Sequence, residues 1–148
     1  MYVYNMPIAQ LNIAKMLAPI DSPTMSGFVN NLDRINALAE ESIGFIWRLT
    51  GEEDNATAIK VFEDDSIIIN MSVWQDVESL KNYVYKTAHV EIMRRKKEWF
   101  SKMESMHMVL WNIPEGHTPT PQEAKERFAY LNENGESDYA FNFKYLNK

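Results

Sequence analysis

The chain of 148 residues contains no cysteine. This absence excludes disulfide bonds, thiolate nucleophiles and cysteine-ligated zinc or iron–sulfur sites, and it suits a reducing compartment. No run of apolar residues approaches the roughly 18 that a membrane-spanning helix needs. Residues 1–7 lack the basic start of a secretory signal, and no long apolar stretch follows them. We therefore expect a cytoplasmic protein that does not enter a membrane.

Positive charge is scarce relative to negative charge. The sequence has 15 Lys and Arg residues against 21 Asp and Glu residues, a net charge of −6. Nucleic acids and anionic membrane surfaces repel such a chain, so neither is an expected partner. Glycine and proline are also few, at 5 and 6 residues. With 45% hydrophobic residues, residues 1–148 are expected to form a single domain around one core.

Four segments have the composition of β-strands: residues 8–14, 45–49, 67–74 and 108–113. In the first of them, Ile8, Gln10, Asn12 and Ala14 are expected to point to one side of the strand. The tail at residues 139–145 alternates aromatic and other residues. This alternation predicts either a further strand or an aromatic arm that packs on the fold.

Capping residues delimit three predicted helices. The first lies between Pro23 and Gly44, and the second begins after Asp76 and is expected to continue to residue 103. Thr120 and the Pro-Gln-Glu that follows predict the start of a third helix, which ends at Gly135. The order is β-α-β-β-α-β with an extra C-terminal helix, which is typical of an α+β ferredoxin-like protomer.

The predicted strands 67–74 and 108–113 are apolar on both faces. Strands of this kind are normally buried on both sides. In a ferredoxin-like unit the two crossover helices cover only one side of the sheet. The pattern therefore predicts a homodimer in which a second copy covers the other side, sheet against sheet.

Residues 72–80 (SVWQDVESL) join a predicted strand to a predicted helix, and Ala88 and His89 lie further along that helix. With the segments AQLNIA, GFIWRL, AHVEIMRRKKEWF and LWNIPEGHTPTPQEAKERF, they resemble an uncharacterised domain-of-unknown-function family of the dimeric α+β barrel superfamily. That superfamily includes cofactor-free antibiotic-biosynthesis monooxygenases, haem-degrading monooxygenases and non-catalytic binding or stress proteins. The resemblance implies a dimeric α+β barrel.

The resemblance also implies candidate site residues. Haem-degrading members use an Asn on the first strand and a Trp and a His on the long helix. Asn12 and His89 match the Asn and the His. Tyr83 stands where the Trp would be, and the segment from Tyr83 to His89 is shorter than in that family. Both departures weigh against haem chemistry.

Cofactor-free oxygenases of the superfamily line their pocket with Asn, Trp, Tyr and Arg. Asn70, Trp74, Arg94 and Arg95 are the corresponding candidates for substrate binding here, together with Trp99. Each has a structural alternative, because buried Trp residues usually belong to a core and Arg residues on a helix usually face solvent.

These residues predict a pocket for a small hydrophobic or aromatic molecule. One hypothesis is a cofactor-independent, monooxygenase-like oxidoreductase in which His89 accepts a proton and Asn12 and Tyr83 assist. The alternatives are a non-catalytic binding or stress-response module and a haem-binding, haem-degrading protein. The sequence has no His-x-His or His-Glu-x-x-His spacing, so no metal or other cofactor is expected.

Overall fold

The computed structural model describes residues 6–50, 62, 64, 66–86, 94–101 and 107–146. Its strands are β1 (Ile8–Met16), β2 (Phe45–Arg48), β3 (Ile67–Trp74), β4 (Phe100–Ser101) and β5 (Met108–Asn112). Each of the four predicted strand segments forms a strand. Their β-branched and aromatic side chains suit a sheet surface that is buried on at least one side.

The helices are α1 (Ser26–Glu41), α2 (Val77–Lys86), α3 (Lys96–Trp99), α4 (Pro121–Asn134) and α5 (Phe143–Leu146). Two predicted caps are present. Asp76 accepts a hydrogen bond from the backbone N–H of Ser79 at 2.8 Å, and Thr120 accepts one from the backbone N–H of Glu123 at 3.1 Å. Each cap supplies an acceptor to a donor that has no partner within its helix.

The sheet is antiparallel, with β3 between β2 and β1 and with β5 and β4 along the other side of β1. β1 and β3 form the centre and pair over eight residues, from Ile8 opposite Trp74 to Lys15 opposite Ile67. This order, with α1 between β1 and β2 and α2 after β3, is the ferredoxin-like α+β arrangement.

The turn between α1 and β2 lies against the start of α2. Gly44 has φ 87°, and a Cβ atom at this position would collide with the side chain of Ser79. The backbone N–H of Gln75 donates to the carbonyl of Gly44 at 2.7 Å. Glycine is therefore required here both by backbone conformation and by the close approach of the turn to α2.

The two faces of the sheet form separate clusters. On one face, Ile8 and Trp74 pack with residues of α1 and α2. On the other face, Leu11, Val109 and Trp111 are each 0% exposed and pack with buried residues of α4. The chain covers this second face with its own C-terminal helix. The burial of this face therefore does not require a second copy, and the homodimer stays a prediction.

The predicted second helix does not continue to residue 103. Phe100 and Ser101 form β4 and pair with Met16 and Lys15, so α3, which comes directly before them, ends at Trp99. Phe100 packs edge-on against Phe28 at a centroid distance of 4.9 Å, which favours the extended conformation over another helical turn.

The aromatic tail packs on the fold and makes an isolated bridge. Phe141 exchanges two backbone hydrogen bonds with Leu110, and α5 begins two residues later. Phe141 is fully buried and stacks on Tyr145 at 5.5 Å. Of the two predicted alternatives, the tail is therefore an aromatic arm.

Candidate functional site

Polar side chains interrupt the apolar surface of the sheet on the face that carries α1 and α2. Gln10 and Asn12 come from β1, and Ser72 and Asn70 lie opposite them on β3. Alternation along each strand places all four on one side. We call these four residues the polar row. Gln10 and Ser72 are buried, Asn12 is half-buried and Asn70 is exposed, so the row leads from the interior to an open end.

Hydrogen bonds connect the polar row to an aromatic ring. The Nε2 group of Gln10 donates to Oδ1 of Asn70 at 2.7 Å and to Oγ of Ser72 at 2.9 Å. The indole Nε1 of Trp74 donates to the same Oγ at 2.8 Å. The first of these bonds orients the amide of Asn70, so that its Nδ2 group remains a donor at the exposed end.

Trp74 and Tyr83 form a stacked aromatic pair at the inner end of the row. Their ring centroids are 5.1 Å apart, with an interplanar angle of 27°. Phe45 packs edge-on against Trp74 at 5.4 Å. Burial raises the pKa of Tyr83, an effect that the positive charge of Arg48 partly opposes. Tyr83 therefore stays protonated and donates its hydroxyl hydrogen to the carbonyl of Ile35 at 3.2 Å.

Arg48 is a functional candidate that the sequence analysis missed. It lies opposite Ser72 in the β2–β3 register, and its side chain is only 7% exposed. Its Nε lies 3.5 Å from Oε2 of Glu40 on α1. A charged residue in the otherwise apolar strand FIWR was the available signal, because arginine is rarely buried without a paired charge.

The predicted substrate-binding residues Arg94, Arg95 and Trp99 lie elsewhere. Trp99 is 1% exposed and packs near the far end of β1, in a cluster with Met16. Arg94 is exposed. Arg95 lies over the Trp99 ring at 4.6 Å and pairs with Glu98 at 2.8 Å, and the hydrogen bonds that Arg95 donates to Glu98 raise the pKa of Arg95.

The structure thus brings four of the predicted residues together: Asn12, Asn70, Trp74 and Tyr83. His89 lies outside the described residues, and its place beside the polar row stays a prediction. Within the described ranges, no group of three or more His, Cys, Asp or Glu side chains could hold a metal ion. No helix in the same part of the chain is long and apolar enough to cross a membrane.

A cavity of about 100 Å³ lies on the opposite face of the sheet. Trp47, Val73, Ile113 and His117 are among its lining residues. Among the described residues, none that was predicted for a site from the sequence lines it. This cavity and the polar row are therefore two separate features of the fold.

Several solved structures are similar to this chain in architecture. A protein of Mycobacterium tuberculosis, Rv0793, has a TM-score of 0.55 at 10% identity, over 76% of this chain and 99% of its own. A conserved protein of Methanosarcina mazei Go1 has a TM-score of 0.53 at 15% identity, over 75% and 96%. SnoaB of Streptomyces nogalater, a cofactor-independent oxygenase, has a TM-score of 0.50 at 11% identity, over 77% and 99%. At these identities the likeness shows a shared α+β fold and nothing further.

The family follows from the sequence itself. Residues 7–148 match the family described as "Domain of unknown function (DUF3291)". The chain belongs to this family. No curated protein matches it.

Proposed function

We propose that the chain binds a small hydrophobic or aromatic molecule carrying a phenol or enol group, on the sheet face that carries α1 and α2. The observation that carries this proposal is the polar row. It joins a buried serine and glutamine to an exposed asparagine in the middle of an otherwise apolar surface. Hydrogen-bonded polar groups at the centre of an apolar surface can fix the orientation of a ligand.

The chemistry of the row suits such a ligand. The Nδ2 group of Asn70 can donate to a phenolic or enolic oxygen, and Asn12 lies directly opposite on β1. Partly buried apolar residues on the same face, such as Ala14 and Met108, offer surface to a ring. Arg48 supplies a buried positive charge that lowers the free energy of a phenolate or enolate nearby, although Glu40 offsets part of it.

The reaction that we propose is a cofactor-independent oxygenation. A base, for which His89 is the candidate, removes a proton from the phenol or enol. The resulting electron-rich anion reduces O₂ directly. An activated CH₂ group of the substrate becomes a C=O group. One oxygen atom of O₂ enters this C=O group, and the other leaves as water together with the two hydrogen atoms. The substrate provides all four electrons that reduce O₂. The shared fold with SnoaB supports this chemistry only as a class.

The first experiment is native mass spectrometry on the protein purified from its own cytoplasm, beside a denatured sample. A retained small molecule would identify the ligand class. Binding of 2-naphthol, a two-ring phenol, is then measured by calorimetry. We expect Asn12→Ala and Asn70→Ala each to weaken binding about fivefold, the value of one net hydrogen bond. The matched control is Asn134→Ala, because Asn134 is an exposed asparagine on α4.

Turnover separates an enzyme from a binding module. Oxygen consumption is followed with an anthrone, which combines an activated CH₂ group with phenolic rings. An enzyme should lose oxygen consumption in His89→Ala and keep its affinity, whereas a binding module should show no oxygen consumption in any variant. Haem is added in a separate experiment. A Soret band that weakens in His89→Ala would show haem binding and would contradict this proposal. Unchanged 2-naphthol affinity in both row variants would refute the site.

We also propose that the chain works as a homodimer in the cytoplasm. The shared fold with the dimeric α+β barrel superfamily supports the dimer, and the absence of cysteine suits the compartment. Sedimentation equilibrium at micromolar concentration tests the dimer. A stable monomer would contradict it.

A further inference from the structure

The cavity opposite the polar row has mainly apolar walls and a polar rim. Trp47, Val73 and Ile113 contribute apolar surface, and His117 and Glu115 lie at its border. Its volume of about 100 Å³ is smaller than the roughly 150 Å³ of an engineered cavity that binds benzene. Because it is open to solvent, one six-membered ring can enter it in part.

A chain of hydrogen bonds fixes His117 beside this cavity. The indole Nε1 of Trp111, which is fully buried, donates to Oε2 of Glu123 at 2.8 Å. The other carboxylate oxygen, Oε1, lies 2.7 Å from Nε2 of His117. Burial alone would raise the pKa of Glu123, but the hydrogen bonds from His117 and Trp111 outweigh it and lower that pKa.

The ionised carboxylate determines which nitrogen of His117 carries hydrogen. A carboxylate only accepts hydrogen bonds, so Nε2 of His117 must be the donor to Glu123. In the neutral ring, Nδ1 is then an acceptor. His117 is 42% exposed on its side chain, so a ligand can reach it.

The backbone around His117 is also fixed. The backbone N–H of His117 donates to the carbonyl of Pro114 at 3.1 Å and closes a turn. Gly116 has φ 85°, the conformation of the third residue of a type II turn. At the other end of the segment, Thr120 caps α4. The turn and the Glu123 contact together hold the imidazole at the cavity border before any ligand arrives.

We propose that this cavity is a second binding site, which takes a neutral single-ring alcohol or phenol whose hydroxyl group donates to Nδ1 of His117. The apolar walls receive the ring, and Glu115 at the border disfavours anionic ligands. Glu123 is a positioning residue, since it acts on the ligand only through His117. The site is independent of the polar row, which lies on the other side of the sheet.

The probe is 4-methylphenol, with toluene as the matched ligand that lacks the hydroxyl group. Ring ¹⁵N and ¹H signals of the three histidines are recorded at about pH 8, where histidine rings are in general mostly neutral. His117→Gln identifies the His117 signals. We expect 4-methylphenol to shift the His117 signals. His117→Gln should weaken 4-methylphenol binding about fivefold and leave toluene affinity unchanged.

Glu123→Gln tests the positioning role. Its amide can still accept from Trp111 but must then donate to His117, which moves the ring hydrogen to Nδ1. The ¹⁵N signals should report this exchange of tautomer, and 4-methylphenol should bind more weakly. The matched control is Glu126→Gln, which alters an exposed carboxylate on the same helix. It should change neither the tautomer of His117 nor the affinity for 4-methylphenol.

Three outcomes would overturn this inference: His117 signals that do not respond to 4-methylphenol, equal affinity in His117→Gln, or a tautomer unchanged in Glu123→Gln. A response confined to His89 would also overturn it and would instead favour the polar row as the only ligand site. Failure of 2-naphthol to bind at the polar row would leave this second site unaffected, so the two proposals fail separately.

Discussion

Replacing Ser72 by alanine removes the acceptor at the centre of the polar row. Its Oγ accepts hydrogen bonds from Gln10 at 2.9 Å and from Trp74 at 2.8 Å. All three residues are buried, so water cannot replace the lost acceptor without opening the structure. The Ser72→Ala protein therefore carries two buried N–H groups without partners, one on an amide and one on an indole.

The magnitude follows from these two donors. A buried donor left without a partner costs about 1–3 kcal/mol. The amide of Gln10 keeps its bond to Asn70 at 2.7 Å and can turn slightly, so its share lies at the low end. We expect the free energy of unfolding to fall by about 2–4 kcal/mol in total. This is a large fraction of the stability of an ordinary domain, which is about 5–15 kcal/mol.

The assay is urea unfolding followed by circular dichroism. The control is Ser101→Ala, whose exposed hydroxyl group donates to the carbonyl of Lys15 at 3.4 Å, and it should change stability by less than about 0.5 kcal/mol. Combining Ser72→Ala with Trp74→Phe removes the unpaired indole N–H, so the double variant should lose about 1 kcal/mol less than the sum of the single variants. A Ser72→Ala protein as stable as the control, with additive double-variant energies, would show that loss of the Ser72 acceptor leaves no costly unpaired donor.

Three further predictions concern the turn, a buried hydroxyl and an exposed carboxylate. In urea unfolding, Gly44→Ala should destabilise the fold by at least about 2 kcal/mol more than Gly116→Ala. Both glycines have positive φ, but only at position 44 would the added Cβ atom collide with Ser79. Equal losses in the two variants would contradict the collision. Tyr83 should stay protonated in the folded protein above pH 10.0, whereas a tyrosine in the unfolded chain ionises there, so the free energy of unfolding should fall as pH rises beyond that value. The fall should be less steep in Tyr83→Phe. A titration of the wild-type protein at 295 nm in which every tyrosine ionises near pH 10.0 would contradict this. Hydrogen bonds from the neighbouring Ser66 lower the pKa of Asp64 from 3.8 to about 2, so the stabilising effect of the Asp64 carboxylate should disappear as pH falls through that interval. Asp64→Asn should therefore flatten the acid unfolding curve over the same interval. An unchanged curve would contradict this.

The sequence predicted those elements whose signals are local. β3 was predicted with its observed ends, because a run of Ile and Val residues finishes at Trp74 next to a capping Asp76. The cap at Thr120 followed from three neighbouring residues. The shared face of Gln10 and Asn12 followed from strand alternation alone, and the resemblance added Asn70, so three of the four residues of the polar row were named in advance.

The errors came from long-range packing. Residues 100–101 fitted the helical pattern, and only their pairing with the end of β1 makes them a strand. The cover of the second sheet face by α4 depends on where that helix returns in space. Arg48 was missed because the side of the sheet that it faces depends on a register shift between Phe45 and Trp47. A sequence pattern does not reveal such a shift.

The proposed function depends on ligand binding at the polar row. Its most direct test is a ¹H–¹⁵N spectrum of the side-chain amides and indoles on addition of 2-naphthol, which is larger than the cavity on the opposite face. If the ligand binds at the polar row, the amide signals of Asn12 and Asn70 and the indole signal of Trp74 should shift together and saturate at one affinity. Saturation with those three signals unmoved, or with shifts confined to Trp111 and His117, would contradict it.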